Sequence, residues 1–139
     1  MNRIKRMPPV SGTGKIKDPS ITKDRSDEDA HPVFSMIYVD DRYCITNCEA
    51  KDKVSFVNKL RMLSKLPWSD LRGGNKHGSS CEVIRRETLR VKVPPHITDD
   101  VTILAFRYSG KKAMVGYRDN ATFHIVWFDD DYNVYNHGH

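Results

Sequence analysis

The run VTILAFRYSGKKAMVGYRDNATFHIVWF, residues 101–128, decides the fold. Three stretches rich in β-branched and aromatic residues, 101–108, 113–118 and 122–128, are separated by Ser109-Gly110-Lys111-Lys112 and by Asp119-Asn120. Such residues suit an extended, pleated chain, and Gly, Asn and Asp suit tight turns, so the run predicts three strands. Connections this short make neighbouring strands antiparallel, giving a meander. Ile103-Leu104-Ala105-Phe106 is apolar on both sides of the pleat, which predicts a central strand covered on both faces. Two-residue turns at Gly110-Lys111 and Asp119-Asn120 would pair Ile103 with Arg118 and Arg107 with Met114. Alternation then puts Arg107 and Arg118 on one face with Phe123, Ile125 and Trp127, and His124 on the other.

Upstream, 81–93 predicts a further strand with many charged positions, ended by Pro94-Pro95 and followed by a loop over 94–100. In 49–66 the apolar residues Val54, Val57, Leu60 and Leu63 recur every three positions, with Phe56 and Leu66 beside them, which predicts one main helix. Asn47 is its expected N-cap. Pro67 ends it, and 67–72 predicts a short helical turn stopped by Gly73-Gly74. Residues 33–39 and 42–46, joined by Asp40-Asp41, predict a hairpin. Residues 1–31 hold too few apolar side chains to offset the entropy of ordering and predict a disordered basic, polar tail. The fold class expected is therefore α+β: an antiparallel sheet of about five to six strands with one main helix packed on it, forming a single domain over 32–139.

Composition narrows the function. The 23 Lys and Arg outnumber the 18 Asp and Glu, for a formal net charge of +5 over 139 residues. That balance attracts polyanions, and nucleic acid is the commonest polyanion in a cytoplasm. No stretch approaches the ~18 consecutive apolar residues of a membrane span, and the basic start lacks the apolar segment of a secretion signal. A cytoplasmic location and no membrane partner are expected. Three cysteines, Cys44, Cys48 and Cys81, are an odd number, which argues against a disulfide framework.

The meander from Ile103 to Tyr135, with arginines on its strands and an aromatic residue near its end, resembles the RelE/ParE superfamily of bacterial toxins. More narrowly, His96-Ile97-Thr98-Asp99-Asp100-Val101, Met114-Val115-Gly116-Tyr117-Arg118 and Phe123-His124-Ile125-Val126-Trp127 resemble stretches of a group of uncharacterised bacterial and phage proteins. The superfamily resemblance implies a helix-on-sheet fold. It also implies a toxin-like endoribonuclease acting on RNA, ribosome-associated mRNA included, and restrained by an antitoxin. It further implies a terminal aromatic, Tyr132 or Tyr135, near the scissile phosphate.

Cleavage of RNA by side chains alone needs a base for the 2′-hydroxyl, a cation for the phosphorane-like charge and an acid for the leaving oxygen. Arg107 and Arg118 are the expected cations, and His77, in a polar loop, and His124 the expected imidazoles. Tyr132, Tyr135 and His137 form an aromatic and imidazole cluster after the last strand. Arg85, Arg86, Arg90 and Lys92 would make a basic strand for RNA, with Trp127 offering a stacking surface. Asp129-Asp130-Asp131 reads as a solvated turn rather than a metal site. The catalytic reading needs no cofactor. An alternative is structural zinc on Cys44, Cys48, His77 and Cys81, since three thiols and one imidazole suit tetrahedral zinc. Two other functions compete: a non-catalytic module binding nucleic acid or protein, and a small zinc-stabilised adaptor.

Overall fold

The computed structural model of the protein describes residues 28–72 and 81–137. Its strands are β1 (Val33–Ser35), β2 (Glu82–Ile84), β3 (Ile103–Ser109), β4 (Lys112–Asp119) and β5 (Thr122–Asp129), and its helices are α1 (Ala50–Ser64) and the short α2 (Trp68–Leu71). The strands form one sheet in the order β1-β5-β4-β3-β2. The α+β class with one main helix therefore holds. The sheet is mixed, however, because β1 runs parallel to β5 while the other neighbours are antiparallel. Among the described residues no helix is long and apolar enough to cross a membrane.

The expected hairpin of 33–39 with 42–46 does not form. Asp40 accepts a bond from the Arg42 amide at 3.0 Å and so caps a 3-10 turn, Asp41–Tyr43, instead of opening a hairpin turn. A second 3-10 turn, Ile45–Asn47, follows. β1 pairs instead with β5, bringing Phe34 opposite Phe123 and within 6.4 Å, centroid to centroid, of Phe106. Residues 1–27 of the expected tail lie outside the described residues. Its last four are tied down: the Ala30 carbonyl accepts from the Trp68 amide at 2.9 Å, and His31 Nδ1 lies 2.8 Å from the Ser64 carbonyl.

The helix stands where periodicity put it, but with a different face inward. A strict three-residue repeat drifts by about 60° per step around a 3.6-residue helix, so Val54, Val57, Leu60 and Leu63 cannot share one face. Val54 and Val57 are both 60% exposed. The buried positions are Asp52, Phe56 and Leu63, with Leu60 half-buried between them. Glu49, not Asn47, takes the N-cap position, and the Asn47 side chain donates instead to the Asp41 carbonyl.

The expected strand over 81–93 is cut to three residues. Past Ile84 the chain makes a 3-10 turn, Arg86–Thr88, where Thr88 Oγ1 donates to the Arg85 carbonyl at 2.7 Å. The following segment pairs with the C-terminal residues: Leu89 bridges Tyr135, the Arg90 amide donates to the Val134 carbonyl, and the Asn136 amide to that of Thr88.

The meander is as read, and its registers are not. The turn between β3 and β4 is Gly110-Lys111, with Gly110 at φ +59 and Ser109 opposite Lys112. A bulge between Arg107 and Ser109 then slips the ladder by one, so Ile103 faces Tyr117 and Arg107 faces Ala113. The next turn is Asn120-Ala121, with Asn120 at φ 56 and Asp119 opposite Thr122. A second bulge, at Val126, sits against Val115 and Gly116. Gly116 is required there, because a Cβ would lie 1.8 Å from the His124 carbonyl oxygen. The two faces carry separate cores. Phe106, Met114, Phe123, Ile125 and Phe128 pack against Phe56, Leu63, Trp68 and Leu71 on the helix face. Ile103, Ala105, Val115 and Trp127 pack under Ile84, Ile97, Val134 and Tyr135 on the other.

Candidate active site

Asp129 ends β5 opposite Ala113 and is fully buried. A lone buried carboxylate is costly unless hydrogen bonds satisfy it. One oxygen accepts from the amides of Asn133 at 2.8 Å and Val134 at 3.1 Å, which closes a turn in which Tyr132 adopts φ 62. The other oxygen lies 2.6 Å from His137 Nε2. His137 also stacks on Tyr135, with centroids 4.0 Å apart, and meets Tyr132 edge-on. The imidazole is thus fixed in position and orientation by a carboxylate and two rings.

His137 stands between two open clefts. One, of about 370 Å³, is lined by Glu82, Arg85, Thr88, Arg107 and Tyr135. The other, of about 350 Å³, is lined by Arg90, Lys111 and Tyr132. Four cationic side chains therefore face the clefts, against the single carboxylate of Glu82. Arg85 also pairs with Glu87 at 3.6 Å, an exposed contact of small energetic weight. Burial pushes the Tyr135 phenol up to about 12, with the Arg107 cation opposing in part. Tyr135 is therefore a neutral phenol near neutral pH, able to donate a proton but not to accept one. A carboxylate-oriented imidazole, a neutral phenol and guanidiniums around one cleft can move protons at a bound phosphodiester and balance its charge.

The expected residues divide. Arg107, Arg85 and Tyr135 line the first cleft and Arg90 the second. Arg118 does not join Arg107: the one-residue slip puts them on opposite faces, and Arg118 lies over the Trp68 ring at 4.3 Å. His124 packs between Tyr117 and Tyr38, in a group that includes His96, with its Nδ1 buried and unpartnered among the described residues. Arg86 and Lys92 do not continue a basic strand. The Arg86 guanidinium donates to the carbonyls of Thr98 and Val101, and Lys92 is exposed outside any strand. Trp127 is fully buried, so it offers no stacking surface. His77 lies outside the described residues. Cys48 is buried with its Sγ 3.7 Å from the Tyr108 hydroxyl, and among the described residues no group of three His, Cys, Asp or Glu is disposed to hold a metal.

In the sequence Asp129 opens an acidic run, 129–131, that reads as a solvated turn. No sequence signal separates it from the two aspartates that follow: β5 is buried on both faces through Val126, Trp127 and Phe128, and only the fold shows that Asp129 continues that burial and must find partners. No family model matches the chain, and neither a curated protein nor a solved structure does.

Proposed function

We propose that this protein is a RelE/ParE-like endoribonuclease, acting in the cytoplasm on RNA by acid–base chemistry that calls on no metal ion. The observation that carries the reading is the Asp129–His137 pair, placed between two cation-lined clefts. His137, held by Asp129, takes the proton of a 2′-hydroxyl. The resulting oxygen attacks the adjacent phosphorus, Arg107 and Arg85 balance the charge on its oxygens, and the bond to the 5′-oxygen breaks. The Tyr135 phenol protonates that leaving oxygen, and the site is reset when the His137 imidazolium gives its proton to water and the phenolate takes one back from water. The products are a 2′,3′-cyclic phosphate and a 5′-hydroxyl. An antitoxin would restrain the enzyme by covering the clefts with acidic side chains, and mRNA on the ribosome fits a substrate drawn by positive charge.

The test is induced expression with RNA integrity followed over time. Wild type is expected to arrest growth and leave fragments ending in cyclic phosphate. Folded His137→Ala is expected to do neither. Normal growth with intact RNA despite soluble expression would overturn the reading. So would cleavage by His137→Ala at the wild-type rate.

A further inference from the structure

On the helix face, away from the His137 cleft, Glu28 is gripped by two guanidiniums. Arg72 Nε lies 2.7 Å from its Oε1, and Arg118 Nη2 lies 3.2 Å from its Oε2. One guanidinium sits on each oxygen, and guanidiniums are the usual holders of oxyanions such as carboxylate or phosphate. The Arg118 guanidinium is further fixed by its position over Trp68 and by donation from Nε to the Asn120 carbonyl at 2.7 Å. Its side chain is 17% exposed, so the charge is partly desolvated and set in place before any ligand arrives.

Beside this pair opens a cleft of about 560 Å³, within the roughly 300–1,000 Å³ that small-molecule sites occupy. Its lining is mixed, with an apolar part made by Trp68, Val83 and Leu104. Val83 and Leu104, cross-strand neighbours on β2 and β3, lie side by side, and Val83 remains 63% exposed. Cys81 adds a thiol that burial keeps protonated and neutral. Asp100 also lines the cleft, and its carboxylate is engaged by the Thr98 hydroxyl. The arrangement is an apolar patch beside two guanidiniums, with a carboxylate of the same chain now seated between them.

We infer that this cleft is a nucleotide-binding site: a phosphate replaces Glu28 between Arg72 and Arg118, and the base lies against Val83 and Leu104. A phosphate carries more charge and more acceptor oxygens than a carboxylate, so it competes for the same guanidiniums. Glu28 tunes the affinity, since its carboxylate must leave before the ligand enters. The nucleotide is either free or one unit of a strand. The site stands apart from the His137 chemistry and does not depend on it.

Calorimetric titration of the full chain tests this with uridine 5′-monophosphate, uridine, and a short single-stranded DNA, which has no 2′-hydroxyl to cleave. The monophosphate is expected to bind and uridine not to. Glu28→Gln should tighten binding about tenfold and Arg72→Ala should weaken it about tenfold. His137→Ala should leave it unchanged. Should Arg72→Ala unfold, Arg72→Lys keeps the charge, loses the guanidinium, and is expected to weaken binding less. Binding of the DNA but not the mononucleotide, with the same response to Glu28 and Arg72, would mean that the ligand is a unit of a strand. Binding of neither would overturn the inference. So would binding indifferent to folded Glu28→Gln and to the Arg72 variants.

Discussion

Among the described residues two carboxylates are buried, one beneath each face of the sheet, and they have opposite kinds of partner. Asp52, on α1, accepts from Ser109 Oγ and from Lys112 Nζ, both at 2.7 Å, and the same ammonium reaches Asp130 at 2.9 Å. Every group in that clasp is engaged, and it locks the helix to the β3–β4 turn. Asp129 takes two backbone amides and an imidazole, and the imidazole borders open clefts. The lysine partner keeps its charge across the whole physiological range, whereas imidazole is the side chain that changes charge near neutrality. A buried carboxylate with a permanent cation is a fastener. With an imidazole at a cleft it becomes a means of moving protons.

The largest effect expected from this difference is on rate. Asp129→Asn should lower RNA cleavage about 10²- to 10⁴-fold, as expected when an oriented imidazole loses its carboxylate, while Asp52→Asn should leave the rate of the folded fraction unchanged. Single-turnover assays on both variants check it, and equal losses would erase the distinction. Gly116→Ala should come next. Its Cβ would collide with the His124 carbonyl beside the β4–β5 bulge, costing about 3 kcal/mol by urea unfolding. Arg107→Ala should weaken RNA binding about tenfold and make it less steeply salt-dependent, because one phosphate contact is gone. Titrations at several salt concentrations measure both.

The smallest effect concerns pH. Asp52 is held below its ordinary value of 3.8, chiefly by its hydrogen bond from Lys112, and Lys112 is raised above its ordinary 10.5, chiefly by its bond to Asp52. A lowered acid adds stability that is complete above 3.8 and withdrawn as pH falls through the folded value. A raised base adds stability that is complete below 10.5 and lost as pH climbs through the folded value. The clasp should therefore be at full strength between these limits. Asp52→Asn should flatten both the acid and the alkaline shoulders of a melting-temperature profile, while leaving any transition near neutral pH in place.

Strand identity in 101–128 was legible because β propensity and turn chemistry agree along that run. Face assignment was not, because it turned on a single extra residue in the ladder near Tyr108, and bulges leave no mark in an alternation pattern. That residue separates Arg107 from Arg118. The N-terminal hairpin failed for a related reason: Asp40 suits a hairpin turn and a helical cap equally well, and pairing with β5, remote in sequence, decided between them. In the candidate site Arg107 and Tyr135 could be named in advance and His137 placed among its neighbours. The role of Asp129 could not, since a run of three aspartates looks solvated until the fold buries the first.

The parallel pairing of β1 with β5 has a consequence for synthesis. Among the described residues β1, the first strand in chain order, bonds to β5, the last, with more than half of the 139 residues between them. Until β5 emerges, Phe34 has no Phe123 to cover it, and α1 has only part of its sheet to lie on. Closing so long a loop is slow, and unpaired apolar segments are open to other contacts while it happens. The sheet is thus completed only once β5 has been made, and the Asp129–His137 pair, which follows β5, is assembled no earlier than the fold that supports it.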